Sequence, residues 1–205
     1  MAREPQDQAW NRWLDRTSNE LQLLSAEGRT FVRVMREQLA TARGDRSDGD
    51  RQRVTTAFRK AVESVLTERG IRIDDPPARV ELLTGIKKAA DVSFTTGGAR
   101  WVLEIKCGLE FNSLGAAVLE GILFHRREPA SRFVLLSLYS KMWIEPSRLA
   151  ELLTEIGLGH AFDAIAVLIL NCDPEEDWWS NAAVRINELF ETIPRGEQGG
   201  RDPNP

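Results

Sequence analysis

A pair of alternating segments joined by a glycine turn constrains the fold of this chain more than any other feature of its sequence. Residues alternate in the manner of a strand from Lys88 to Phe94 and again from Arg100 to Lys106. Residues 95–99 between them are Thr-Thr-Gly-Gly-Ala, and paired glycines permit the positive φ angles of a tight turn. Two such segments predict a β-hairpin, because a period of two sends successive side chains to opposite faces of a strand.

The second strand of this hairpin has both of its central charges on one face. The period of two sends Glu104 and Lys106 to one side, while Leu103 and Ile105 point to the other. The surrounding run is too apolar for a solvated edge strand, so both charges are expected in a half-buried cleft. Burying an unpaired carboxylate or ammonium is costly unless a metal ion or a phosphate compensates it. Together with Asp91 on the first strand, these residues indicate a divalent-metal phosphodiesterase site.

The order of these residues resembles the motif of the PD-(D/E)XK nuclease superfamily, which includes many restriction endonucleases. Asp91 is followed, after a short turn, by an apolar strand with Glu104-Ile105-Lys106 and then by a helix. The resemblance covers roughly residues 55–175 in element order and departs from the motif at Ala90, where the pattern has proline. It implies that Asp91 and Glu104 bind metal together with the backbone carbonyl of Ile105. It also implies that Lys106 orients or helps to deprotonate the attacking water.

Further carboxylates are candidates for the same site. A helix before the hairpin often supplies an acidic residue in this superfamily, and the resemblance implies Glu63 for that place. Glu81, on a strand predicted at residues 79–84, is the alternative. Glu120 and His125, on the helix predicted after the hairpin, could each approach the cleft, but ordinary surface positions are expected for both.

Magnesium is the expected cofactor, and manganese is the expected substitute. Mg²⁺ takes oxygen ligands and usually keeps several waters, so two carboxylates and a carbonyl leave room for a phosphate oxygen. Such an ion lowers the pKa of its water and neutralises charge in the transition state. The chain has two cysteines and no His/Cys spacing pattern, which argues against zinc.

The net charge of −4 does not exclude a nucleic-acid partner, because the charges are unevenly distributed. Residues 1–106 contain 19 Lys and Arg against 16 Asp and Glu, whereas residues 107–205 contain 8 against 15. Phosphate binding depends on a local basic surface rather than on the global charge. The candidates for DNA contacts are Lys87, Lys88, Arg100, Asn112, Ser113, Arg126, Arg127 and Lys141.

Hydrophobic periodicity divides the 205 residues into three parts. Residues 1–50 are predicted to form a helical segment with a charged loop, and its stripe around Trp10 and Trp13 needs a partner surface on the core or on a second subunit. Residues 51–193 are predicted to form an α/β domain with a restriction-endonuclease-like core, in which a mixed central β-sheet is flanked by helices. Residues 194–205 are expected to form a disordered tail. The expected helices span 8–24, 27–42, 54–69, 113–127 (capped by Asn112 or Ser113), 146–156 and 180–190, and further strands span 132–138 and 164–170.

Cytoplasmic residence is expected. The apolar runs are too short to span a membrane, and the first eight residues lack an apolar signal core. Cys107 and Cys172 are expected to be buried thiols in a reducing compartment rather than a disulfide.

These features predict a Mg²⁺-dependent DNA endonuclease with a type II-like restriction role, acting as a homodimer on a symmetric sequence. The resemblance implies in-line attack by water, leaving a 5′-phosphate and a 3′-hydroxyl. Repair or other defence nucleases, and a structure-selective or single-strand nuclease, stay open as alternatives. So do a non-catalytic nucleic-acid-binding or assembly protein and an unrelated α/β domain in which Glu104 and Lys106 form a structural ion pair.

Overall fold

The computed structural model of this chain describes residues 15, 21–41, 49–140, 142, 144–169, 182–191, 193 and 195. The predicted features that lie outside the described residues are the stripe around Trp10 and Trp13, the loop at 43–48, Lys141, Cys172 and the tail beyond residue 195.

Five α-helices occur in the described part of the chain. They are α1 (Ala26–Thr41), α2 (Gly49–Glu68), α3 (Phe111–Arg127), α4 (Pro146–Glu155) and α5 (Ala182–Glu191). The start of α1 is capped by Ser25, whose hydroxyl accepts a hydrogen bond from the Gly28 N–H at 3.0 Å. Pro146 begins α4, where its fixed φ angle suits the first helical turn. None of these helices combines the length and the apolar composition needed to cross a lipid bilayer.

Six strands form two sheets in the same residues. β1 (Arg79–Leu83) and β2 (Ile86–Ala89) form an antiparallel hairpin of their own. The main sheet has the order β3 (Val92–Thr96), β4 (Ala99–Leu109), β5 (Arg132–Ser140), β6 (Ala164–Ile169). β3 is antiparallel to β4, whereas β4, β5 and β6 are parallel, so the predicted mixed sheet flanked by helices is confirmed.

The turn between β3 and β4 has the predicted chemistry. Gly97 and Gly98 adopt φ angles of 58° and 71°, the left-handed region that side chains disfavour and glycine tolerates. Two positive φ angles in succession match the twist of the flanking strands. The turn therefore fixes the register in which Val92 pairs with Leu103.

The two faces of the main sheet have different covers. Leu103 and Ile105 of β4 pack into the larger apolar cluster with α1, α2 and α5. The largest fully buried side chains of these helices are Phe31, Met35, Phe58, Leu66 and Phe190. The other face is covered by α3 and α4, through Leu114, Ala117, Leu149 and Leu153. Because Leu24 and α1 contribute to the larger cluster, these parts of the N-terminal segment pack on the core of their own chain.

Three predicted boundaries are wrong, and strand pairing explains the first of them. The strand predicted from Lys88 to Phe94 is broken after Ala89, because β2 pairs with β1 while β3 pairs with β4. Helix α2 begins at Gly49, so the predicted loop does not extend to residue 50. Helix α3 is preceded by Glu110 as its N-cap, and the Glu110 N–H donates to the Ser113 hydroxyl at 2.8 Å, so neither Asn112 nor Ser113 is the cap.

A matched pair of glycine substitutions on α3 tests its close packing. A Cβ at Gly121 would lie 2.0 Å from the Ala161 carbonyl oxygen, whereas a Cβ at Gly115 would meet no heavy atom within 4 Å. We expect Gly121→Ala to lower the free energy of unfolding by about 1–3 kcal/mol through overpacking. Gly115→Ala should raise it by about 0.5–1 kcal/mol through helix propensity. Denaturant titration measures both, and equal effects of the two substitutions would contradict the close approach.

Candidate active site

Glu104 and Lys106 lie on the face of β4 that is covered by α3. β4 is an interior strand, with β3 on one side and β5 on the other, so water reaches it only from above the sheet. The side chain of Glu104 is 3% exposed, whereas that of Lys106 is 24% exposed. The predicted alternation is present, and it places a carboxylate inside the protein with an ammonium nearer to solvent.

Asp91 lies next to Glu104 across the strand pair. It directly precedes β3, and because Val92 pairs with Leu103, the following residue on β4 faces Asp91. The Oδ2 atom of Asp91 accepts a hydrogen bond from the Ile105 N–H at 2.7 Å. The carboxylate thus accepts a hydrogen bond from a backbone N–H of β4 that lies beyond the first residue of β3.

Two lysines share one oxygen of the buried glutamate. Lys106 Nζ lies 2.5 Å from Glu104 Oε1, and Lys88 Nζ lies 2.7 Å from the same atom. Lys88 reaches the site from β2, and it also donates to Glu120 Oε2 on α3 at 2.5 Å. The ion pairs connect β4, the β1–β2 hairpin and α3 in one network.

Glu120 is the residue of this network that the sequence prediction placed wrongly on the surface. Its side chain is 19% exposed and points toward Lys88 rather than into water. The helical spacing of the sequence indicates this inward position. Glu120 lies three residues after Ala117 and four before Phe124, and both of these residues are fully buried against the sheet. A carboxylate on that stripe faces inward.

The electrostatics of the site act on Asp91 and Lys88. Burial raises the pKa of Asp91 above its ordinary value, and the nearby Glu104 carboxylate raises it further, against the Ile105 hydrogen bond and the two lysines. Burial by itself would lower the pKa of Lys88. The hydrogen bonds and charges of Glu104 and Glu120 together outweigh burial, so the pKa of Lys88 is raised and its ammonium form is favoured.

The oxygen atoms around Asp91 and Glu104 suit a hard divalent cation that needs only a few protein ligands. Among the described residues there is no group of three or more His, Cys, Asp or Glu side chains arranged to hold a metal. Mg²⁺, however, is commonly bound through only one or two carboxylates plus water and substrate phosphates. The Ile105 carbonyl points to the same side of β4 as the Ile105 N–H, which is the side of Asp91, because both groups of a strand residue face one neighbour. Two carboxylates and one carbonyl therefore fit this ion.

The structure does not bring Glu63 or Glu81 to this site. Glu63 lies on α2, which covers the opposite face of the sheet, and it pairs with Lys60 at 2.8 Å and Arg59 at 3.6 Å. Glu81 lies on β1, where its Oε1 accepts a hydrogen bond from the Gly85 N–H at 3.1 Å. The third carboxylate near Lys88 comes from α3 instead.

The candidate DNA-binding residues are placed unevenly around the site. Lys87, Asn112, Arg126 and Arg127 are exposed, and Arg127 also donates to the Thr84 hydroxyl of the hairpin at 3.3 Å. Arg100 pairs with Glu128 at 3.1 Å, Ser113 belongs to the helix cap, and Lys88 lies in the site itself. His125 contacts Asp163 at 3.4 Å, and burial lowers its pKa. The exposed members lie on the hairpin, at the start of β4 and at the two ends of α3.

No protein-family model matches the chain, and no curated protein matches its sequence. Among solved structures, the chain is similar to one described as a restriction endonuclease PspGI–substrate DNA complex. The two are 12% identical, the match covers 75% of this chain and 68% of that chain, and the TM-score is 0.37. The assignment of the site therefore rests on its own geometry.

The raised pKa of Asp91 predicts how Asp91→Asn changes stability with pH. A proton on Asp91 stabilises the folded protein. This stabilisation is fully present below the pKa of Asp91 in the unfolded chain, near 3.8, and it is lost as the pH rises through the higher pKa of the folded protein. Asparagine still accepts the Ile105 hydrogen bond but has no charge. In the presence of EDTA, we expect the variant to be more stable than the wild type at neutral pH, with an advantage that vanishes toward pH 4. A variant less stable at neutral pH would show that the Asp91 charge is stabilising.

Proposed function

We propose that this protein is a divalent-metal-dependent nuclease that hydrolyses phosphodiester bonds in DNA. The observation that supports the proposal is the convergence of Asp91, Glu104 and Lys106 beneath α3. One carboxylate directly precedes β3, the other lies on β4, and an ammonium lies 2.5 Å from the second of them. Phosphodiester hydrolysis of this kind requires carboxylates that bind a cation. It also requires a nearby hydrogen-bond donor that contacts the water or the phosphate.

Magnesium is the proposed cofactor, with manganese as its substitute. When bound, such an ion makes water more acidic and neutralises phosphate charge. Asp91 and Glu104 would hold it, together with the Ile105 carbonyl. In the described part of the chain, one oxygen of each carboxylate makes no hydrogen bond, since the contacts involve Oδ2 of Asp91 and Oε1 of Glu104.

Lys106 is proposed to position the attacking water and the phosphate. An ammonium donates three hydrogen bonds, and Glu104 Oε1 receives one of them. The others are available for water or for a phosphate oxygen on the solvent side, where Lys106 is partly exposed. Its positive charge lies where negative charge develops during attack on phosphorus, and this lowers the barrier.

Exposed basic residues support DNA as the polymer. Lys87 on the hairpin and Arg126 and Arg127 at the end of α3 lie on the elements that supply Lys88 and Glu120 to the site. Lysine and arginine at such positions contact phosphates and position the duplex without reading its sequence.

Within this class we propose a type II-like restriction role and a homodimer. A two-fold dimer presents two copies of one site, which suits cleavage of both strands at a symmetric sequence. Incubation with mixed duplex and single-stranded DNA in Mg²⁺ tests this role. Discrete duplex fragments support it, whereas a smear or cleavage of single strands alone supports the non-specific or single-strand alternative.

The ion pairs of Glu104 favour one rival function. Two ammonium partners compensate its buried charge without any metal, as in a non-catalytic DNA-binding or assembly protein. Manganese titration separates the two proposals, because a structural ion pair binds no metal. Binding that is lost in Asp91→Asn supports the nuclease.

Substitution of the three proposed active-site residues tests the nuclease directly. We expect Asp91→Asn, Glu104→Gln and Lys106→Met each to reduce DNA cleavage by about 10²-fold or more, because each removes a group acting on the transition state. Glu63→Gln is the matched control, since it removes a glutamate paired with lysine on the opposite face and should cleave like the wild type. Circular dichroism and thermal unfolding verify the fold. Wild-type cleavage by any of the three folded variants contradicts the assignment.

Calcium is expected to promote DNA binding without cleavage. Ca²⁺ accepts the same oxygen ligands as Mg²⁺ but with longer and less directional bonds, so it places water less strictly. By neutralising Asp91 and Glu104 it removes their repulsion of DNA phosphates, and we expect about tenfold tighter binding, or roughly 1.4 kcal/mol. Fluorescence anisotropy with and without Ca²⁺ measures this change. Equal affinity under both conditions, or an equal gain in Asp91→Asn, argues against the metal site.

A further inference from the structure

The Lys88 ammonium lies between two carboxylates that belong to different elements. It is 2.7 Å from Glu104 Oε1 on β4 and 2.5 Å from Glu120 Oε2 on α3. Its own backbone belongs to the β1–β2 hairpin, which forms a sheet separate from the main one. No feature of the β4 motif requires a second lysine at this oxygen, because Lys106 already contacts it.

We propose that Lys88 is a tethered cation that competes with the divalent metal for Glu104 and so weakens metal binding by the DNA-free protein. The inference rests on the proposed function, because it takes the metal to bind at Asp91 and Glu104. Lys88 would then be a positioning residue that sets the metal affinity, rather than a catalytic one.

Charge supports the competition. A divalent ion on Glu104 would stand within a few ångström of the Lys88 ammonium, and like charges at such a distance repel strongly where water is scarce. Glu104 is 3% exposed, so solvent and salt screen this repulsion little. Metal binding at the free oxygen of Glu104 is therefore opposed by the Lys88 ammonium for as long as it stays on Oε1.

The geometry gives Lys88 a place to withdraw to. Its side chain is 35% exposed and Glu120 is 19% exposed, so both lie nearer to solvent than Glu104 does. Withdrawal keeps the ion pair with Glu120 and breaks only the contact with Glu104. Because β2 is not hydrogen-bonded into the main sheet, such a shift leaves the β3–β4 pairing intact.

Calorimetric titration of Mn²⁺ into the DNA-free protein tests the inference. We expect Lys88→Met and Lys88→Gln to bind Mn²⁺ at least about tenfold more tightly than the wild type, because both remove the competing charge. Lys88→Arg, which keeps the charge, should stay within about twofold of the wild type. Lys60→Met is the matched control, because Lys60 is also paired with a glutamate, at 2.8 Å, but on the opposite side of the sheet. Thermal unfolding verifies that each variant is folded, and the two neutral variants serve as independent tests.

The outcomes separate this inference from the proposed function. Unchanged Mn²⁺ affinity in the neutral Lys88 variants, with binding still lost in Asp91→Asn, overturns the competition and leaves the nuclease proposal standing. A lower melting temperature without tighter binding has the same meaning, and shows a purely structural ion pair. Absence of Mn²⁺ binding in the wild type and in every variant overturns both. An equal gain in Lys60→Met shows a general charge effect and overturns the competition.

Discussion

Glu104 is buried in the middle of β4, and a carboxylate in that position needs cationic partners close at hand. Lys106 comes from the same strand, whereas Lys88 comes from a hairpin outside the main sheet. Because Lys88 also contacts Glu120, the charge of one buried residue ties three elements together. These contacts hold the hairpin against α3 as well as compensating the buried charge.

The packing of the sheet decides where that charge is tolerated. The side of β4 that faces α1, α2 and α5 is apolar, and Leu103 and Ile105 are buried in its cluster. The opposite side is covered by α3, which approaches the Ala161 backbone closely at Gly121. Glu120 is adjacent to this point of closest approach. The close packing of α3 and the ion pair between Glu120 and Lys88 therefore lie side by side on this helix.

Local periodicity was sufficient to predict the β3–β4 hairpin, its Gly97–Gly98 turn and the common face of Glu104 and Lys106. It was insufficient for the break after Ala89, because that break depends on β2 pairing with β1 rather than continuing into β3. Sequence periodicity also does not reveal which helix covers which face of a sheet. The family resemblance implies Glu63, on a helix before the hairpin, whereas Glu120 on α3 is the residue that contacts the site. The face taken by each helix depends on how the chain crosses the sheet, and this is a property of the whole topology.

The charges in the described part of the site do not balance. Asp91, Glu104 and Glu120 supply three carboxylates, whereas Lys88 and Lys106 supply two ammonium groups. The pKa of Asp91 is raised chiefly by burial, and the neighbouring Glu104 carboxylate raises it further. A divalent cation at Asp91 would supply the missing positive charge, and because a carboxylate ligand must be deprotonated, its binding would weaken at low pH. A purely structural network has no use for the surplus charge, since an asparagine at position 91 would accept the Ile105 hydrogen bond without it. Packing therefore accounts for Glu104 and its lysines, whereas the Ile105 hydrogen bond accounts for an acceptor at position 91 but not for its charge.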